Sequence, residues 1–268
     1  MIASATKALL FFCLFDDHKI ESQHTIMNMR KAFSLVELSI VLVILGLLVG
    51  GILAGRSLIR ASELRSVMTE ASKYSSAVFS FRDKYFALPG DMANATQFWQ
   101  AATVCPGTSV NPSTDNKTCD GNGDGLIGAT GSTAYERFRL WQQLASAALV
   151  EGTFTGVPGS AGGYHVVLGQ NAPNSRLTPS GWSALSTAAA GNWLQFGVGQ
   201  AANGSNNVAA ITPPEAWNID SKMDDGNPGV GKIRSNLAPC TDGVAAPSGV
   251  YVLSTTDIAC SLQFYMIP

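Results

Sequence analysis

The sequence predicts an α+β protein: a long N-terminal helix, apolar enough to cross a membrane, followed by a head built on an antiparallel sheet. Three observations lead there. Leu38 to Gly55 form eighteen consecutive residues without a charge. Apolar residues then recur at steps of three and four up to Leu88, the period of an amphipathic helix. Beyond Pro89 the composition turns to Gly, Asn, Ser, Thr and Ala, with short apolar runs between turn signals.

Composition narrows the class. The chain has 268 residues, with 17 Lys+Arg against 19 Asp+Glu and a net charge of -2. That balance excludes a general nucleic-acid binder, which carries a basic excess, so no nucleic-acid partner is expected. Only 13% of residues are charged and mean hydropathy is +0.15, which excludes a disordered chain. A Gly-rich, weakly charged chain with one long apolar run fits a membrane segment plus an extracytoplasmic head.

Eighteen residues make ~27 Å of helix, close to the ~30 Å hydrocarbon core of a bilayer. Phe33 to Leu35 extend the run on its N-terminal side, interrupted only by Glu37. The alternative is a buried core helix of a soluble protein. Arg30 and Lys31 stand directly before the run, so the short N-terminal side is expected in the cytoplasm and the large C-terminal part outside it. A second apolar patch, Ala8 to Phe15, is too short to span, and no small-residue cleavage site follows it. Translation is expected to start at Met27 or Met29, leaving residues 1–26 upstream of the true start. The domain reading is a leader at 1–32, a long helix at 33–88 with its membrane segment at 33–55, and a head at 89–268.

After Gly55 an apolar stripe of Leu64, Val67, Met68, Ala71, Tyr74, Val78, Phe81 and Tyr85 alternates with charged residues, so the helix is expected to continue to Ala87. Leu88-Pro89-Gly90 stops it. Phe33 to Ala87 would run roughly 80 Å. Gly46, Gly50, Gly51 and Gly55 allow close helix packing and weaken the helix locally. In the head, one helix is expected over Ala134–Leu149, burying Phe138, Leu140, Trp141, Leu144 and Ala148. Strands are expected at Tyr164–Leu168, Trp193–Val198, Val208–Ile211, Gly249–Leu253 and Leu262–Met266.

The segment Lys31 to Gly51, KAFSLVELSIVLVILGLLVGG, resembles the prepilin N-terminus of type IV pilins and type II secretion pseudopilins. A short basic leader, a small residue then Phe, a Glu four residues on and an unbroken apolar helix carry the resemblance together. It implies a pilin-like fold. It also implies that a prepilin peptidase cuts between Ala32 and Phe33 and N-methylates Phe33. Ala32 stands where the family usually has Gly, and is small enough for a site that excludes bulk. A carboxylate inside an apolar helix costs ~2.5–3.5 kcal/mol on insertion scales, so Glu37 needs a partner. The resemblance supplies one for assembly, the new N-terminal amine of Phe33 on a neighbouring subunit; the alternative leaves Glu37 at the headgroup boundary. Implied partners are the peptidase, other pilin or pseudopilin subunits and the inner-membrane assembly machinery. The implied location is the bacterial inner membrane, single-pass, with the head in the periplasm.

The mature part would hold four cysteines, Cys105, Cys119, Cys240 and Cys260. An even count in an exported head suggests two disulfides, and four cysteines allow three pairings. Neighbour pairing, Cys105–Cys119 and Cys240–Cys260, closes two turn-rich loops, and a C-terminal disulfide loop resembles many pilins. Zinc is disfavoured, because no spacing is CxxC and no His lies near.

Asp120-Gly121-Asn122-Gly123-Asp124-Gly125 matches D-x-N-x-D-G, the start of a calcium loop. Asp120, Asn122 and Asp124 would offer side-chain oxygens and Leu126 its carbonyl. Gly131 stands where an EF-hand places its bidentate Glu, so Glu136 is the substitute. The alternative is a Gly/Asn-rich turn. A second acidic cluster, Asp220 to Gly226, resembles a recurrent loop of such heads and is expected to be a solvated turn. His165 is the one histidine of the mature part, and no nucleophile-elbow, HExxH, Walker or dinucleotide motif is present. The function expected is therefore a non-catalytic prepilin-like subunit. A membrane-tethered periplasmic binding module is the alternative, and a tethered hydrolase a third class.

Overall fold

The computed structural model describes residues 34–102, 117–128, 135–159, 165–199, 207–235, 237–243 and 248–268. The chain divides into two compact units, residues 1–52 and 53–268. A single helix, α1 (Leu35–Tyr85), starts in the first and ends in the second. Ser34 opens it: its Oγ accepts from the Val36 N–H at 3.3 Å and its carbonyl from the Leu38 N–H at 3.0 Å.

Within the second unit α1 buries Val67, Ala71, Tyr74, Val78 and Phe81, the stripe expected from the 3.6-residue period. It ends at Tyr85 rather than Ala87. Phe86 takes a left-handed backbone (φ 56°), and Pro89 keeps Leu88 out of helical geometry. Gly90 turns the chain against the next helix. A Cβ there would meet the Glu136 carbonyl oxygen at 2.3 Å, so no larger residue fits.

The head then adds α2 (Thr96–Trp99), α3 (Glu136–Ser146), β1 (Ser180–Thr187), β2 (Gly191–Val198), α4 (Pro213–Met223), β3 (Ile233–Arg234) and β4 (Leu262–Phe264). The strands form one antiparallel sheet in the order β1-β2-β4-β3. The register pairs Trp182 with Phe196, Ala184 with Leu194 and Leu194 with Phe264. Alternation puts these residues and Ile233 on one face, all buried. Tyr74 of α1 meets that face edge-on to Trp182, with ring centroids 5.7 Å apart, and meets Trp141 of α3 at 5.0 Å. The architecture is α+β, a long apolar helix followed by a four-stranded antiparallel sheet, as the sequence predicts.

Polar links fasten α1 to the head, Glu70 and Arg60 among them. Glu70 accepts from Trp182 Nε1 (2.8 Å), Ser175 Oγ (2.7 Å) and the Arg176 N–H (3.0 Å). Arg60 donates to Glu215 of α4 through Nε (2.6 Å) and Nη2 (2.8 Å), a two-point contact.

Several expected elements differ. Only Trp193–Val198 lies wholly within a strand; Leu262–Met266 shrinks to Leu262–Phe264. Val208 and Ile211 make single bridges, to Val198 and Cys260, because Pro213 and Pro214 follow and open α4 instead. Gly249–Leu253 contributes only the bridge of Tyr251 to Thr241. Leu168 bridges Ala172, and residues 165–167 form no strand. Helix α3 is shorter than Ala134–Leu149, and Ala148 is exposed with φ 58°, outside the core.

Candidate functional site

The N-terminal segment is the first candidate. Ala32 and Phe33 lie outside the described residues. Glu37 sits in the first turn of α1 and is exposed. Among the described residues one helix, α1, is long and apolar enough to cross a membrane, and none of its most apolar window is buried. Leu47 is 73% exposed and Leu53 62%. A core helix of a soluble protein would bury those side chains, so the sequence alternative of a core helix does not describe this one.

The loop at 120–128 is held by protein groups on every side. Both Asp120 carboxylate oxygens accept from Thr96, from its N–H at 2.8 Å and its Oγ1 at 3.0 Å. Asp124 accepts from the Leu126 N–H and from Asn122 Nδ2, each at 2.8 Å, while Asn122 Oδ1 accepts from the Asp124 N–H. Glu136 does approach the loop, but its oxygens receive the N–H groups of Asn122 (3.1 Å) and Gly128 (2.8 Å). Burial pushes its carboxyl up to about 7, against those two hydrogen bonds. Asp91, which no sequence motif singled out, accepts from the N–H groups of Gly123 (2.7 Å), Asp124 (3.1 Å) and Gly125 (2.9 Å). Burial raises its pKa as well. Gly121 packs so closely that a Cβ would lie 2.4 Å from the Asp91 backbone.

The second acidic cluster is not a solvated turn. Asp220 belongs to α4 and is fully buried; Asp224 is half-buried and Asp225 exposed. The helix accounts for the difference. Thr212 and Glu215 form a capping box around Pro213–Pro214, which carries the chain into a helix that includes Asp220. Asp220 accepts from Tyr251 Oη at 2.8 Å and from the Gly226 N–H at 3.1 Å. Burial raises its carboxyl to about 6, and the charges of Asp225 and Asp224 add to the rise. Among the described residues, carboxylate oxygens of these three aspartates lie within 4.8 Å of one another, a spacing that suits a metal ion.

With this geometry in place, the family comparison decides the character of the N-terminal segment. Residues 27–53 match the family model described as the prokaryotic N-terminal methylation motif. The chain carries the N-terminal methylation motif. No curated protein and no solved structure matches the chain. The motif is the signature that the sequence resemblance pointed to.

One of the two expected disulfides is described in full. Cys240 and Cys260 are joined, with Cα atoms 4.9 Å apart and a sequence separation of 20. Cys119 is disulfide-bonded as well; Cys105, its expected partner, lies outside the described residues. His165 lies just past residues 160–164, which are not described, and its Nδ1 is buried.

Proposed function

We propose that this chain is a prepilin-like structural subunit. A prepilin peptidase cleaves it between Ala32 and Phe33, methylates Phe33, and the processed chain assembles through its N-terminal helix into a type IV pilus or type II secretion pseudopilus. The observation that carries the reading is the methylation motif at residues 27–53, lying at the start of a helix whose apolar window is unburied. Arg30 and Lys31 put the leader in the cytoplasm and the head in the periplasm. In lipid, a lone carboxylate at Glu37 is unfavourable. The amine freed at Phe33 of a neighbouring copy relieves that cost, which couples processing to assembly. The four glycines from Gly46 to Gly55 let neighbouring helices approach closely. In the head, the Asp220, Asp224 and Asp225 cluster is where calcium would bind, because bringing three carboxylates together favours a cation between them.

The test uses cells that express a prepilin peptidase and assembly machinery. The wild-type chain is expected in a sheared, sedimentable filament fraction, and Glu37→Ala is expected to remain in the membrane at normal abundance. Wild-type protein that is processed yet never leaves the membrane fraction would support the tethered binding module instead.

A further inference from the structure

We infer that the cleft between α1 and α4 seats the headgroup of an acidic phospholipid from the membrane that α1 spans. The inference rests on the membrane-anchored reading above and adds to it a lipid contact made by the head.

The cleft has a volume of about 380 Å³ and runs along one face of α1. Leu58, Ala61, Leu64 and Met68, spaced by three and four residues, form its apolar wall. Arg65 stands beside that wall, and Asn218 and Lys222, four residues apart, close it from α4. Two cations and no acid therefore line it.

The acids around the cleft have other partners. Glu63 and Glu215 both accept from Arg60, the first at 3.3 Å and the second at 2.6 and 2.8 Å. Glu70, further along α1, receives Trp182 Nε1, Ser175 Oγ and the Arg176 N–H. Asp220 is buried and receives the Tyr251 hydroxyl. Past the end of α4, Asp224 accepts from the Lys232 N–H and Asp225 from the Asn227 N–H. Among the described residues neither Arg65 nor Lys222 forms an ion pair, and both are exposed. The cleft keeps its two positive charges.

Position along α1 names the occupant. The uncharged run ends at Gly55, and Leu58 opens the cleft three residues on, roughly 5 Å along the helix. Leu53 (62% exposed), Leu58 (72%) and Ile59 (62%) make the apolar wall continuous with the unburied surface of the run. Arg65 lies six residues beyond Ile59, or roughly 9 Å, close to the depth of a headgroup layer. Side chains on a helix lean toward its N-terminus, so Arg65 leans toward the membrane. A guanidinium takes a phosphate through paired N–H donors, and Lys222 adds a second charge. Asn218 and Ser62, which also line the cleft, offer neutral donors to the remaining oxygens. The four apolar side chains cover the first methylenes of the lipid. A zwitterionic headgroup brings its own ammonium and gains less from two cations, so the site selects an acidic lipid.

The experiment reconstitutes the full chain in phosphatidylcholine vesicles with a fifth of phosphatidylglycerol. In one sample the phosphatidylglycerol carries a diazirine near its glycerol, and in the other the phosphatidylcholine does. After irradiation, adducts are mapped by mass spectrometry. Both lipids are expected to label residues 38–55, and phosphatidylglycerol alone to label residues 58–68 and 218–222. Arg65→Glu with Lys222→Glu should lower the cleft adducts about tenfold and leave those on residues 38–55 unchanged. The milder pair Arg65→Gln with Lys222→Gln should lower them less. Arg82→Glu with Lys84→Glu, at the far end of α1, should change neither. Equal labelling of the cleft by both lipids, labelling that ignores the Arg65 and Lys222 changes, or an equal fall with the Arg82 and Lys84 pair would each overturn the inference. So would displacement of the cleft adducts by millimolar glycerol phosphate, which would make the ligand a soluble anion. Adducts on residues 38–55 without any in the cleft leave the membrane reading standing, whereas a chain that neither lipid labels overturns both.

Discussion

The buried carboxyl of Glu136 makes the stability of the head depend on pH in a calculable way. Glu136 is 3% exposed, and burial raises its pKa from 4.5 to about 7. The folded chain therefore keeps a proton between those values that the unfolded chain has released. Because the folded pKa is the higher one, the associated stability is fully present below about 4.5. It falls as pH rises through the window and is gone above about 7. A difference of about 2.5 pH units corresponds to roughly 3 kcal/mol. For a head of this size that is roughly 6–12 °C in melting temperature. Glu136→Gln stays neutral at every pH and keeps one oxygen for the N–H groups of Asn122 and Gly128. Thermal unfolding of the full chain in detergent, followed by the fluorescence of buried Trp141 and Trp182, tests the point between pH 5 and 8. Asp220 also titrates near 6 in both proteins, so the difference between the two curves isolates Glu136. The variant is expected to gain on the wild type by roughly 3 kcal/mol across that range. Parallel curves would refute the reasoning, and with it the claim that Glu136 is buried against the loop as a strained carboxylate.

Glu70→Ala removes the acceptor for Trp182 Nε1, Ser175 Oγ and the Arg176 N–H; urea unfolding should show a loss of roughly 3 kcal/mol. Glu70→Gln should lose less, because one acceptor oxygen remains. Replacing Cys240 and Cys260 together with Ser should cost about 3 kcal/mol by the loop-entropy relation for a 20-residue separation, read as a lower melting temperature. Millimolar calcium should raise the melting temperature of the wild type, with Asp224→Ala abolishing most of the shift and Asp120→Ala preserving it. The opposite pattern would return the cation to the 120–128 loop.

The parts of the fold that were legible in the sequence are those with a strong period. The uncharged run and the stripe from Val67 to Phe81 announce α1 because their apolar length and helical period outweigh the four glycines between Gly46 and Gly55. Strand β1 was not legible. Its SGWSALST carries four hydroxyl side chains among its eight residues, and only Trp182 signals burial. The core comes to β1 through Phe196 and Tyr74, contacts that no local pattern records. Helix α4 did leave a signal, the T-P-P-E of its capping box, hidden by the acidic residues that follow. At the acidic loop, D-x-N-x-D-G pointed to a calcium loop with Glu136 as a ligand, and the structure brings Glu136 to the loop as an acceptor of two of its N–H groups. Asp91, which accepts from three of its N–H groups, lies 29 positions before Asp120 in an otherwise unremarkable turn. Hydrogen bonds over that separation have no signature in a single sequence.

The account's central claim is prepilin-type processing, and the mature N-terminus tests it most directly. The chain should be isolated from membranes of cells with an active prepilin peptidase, and its N-terminal peptide sequenced by mass spectrometry. The account predicts a terminus at Phe33 carrying one added methyl group. A chain that keeps Arg30, Lys31 and Ala32 in those cells would contradict it.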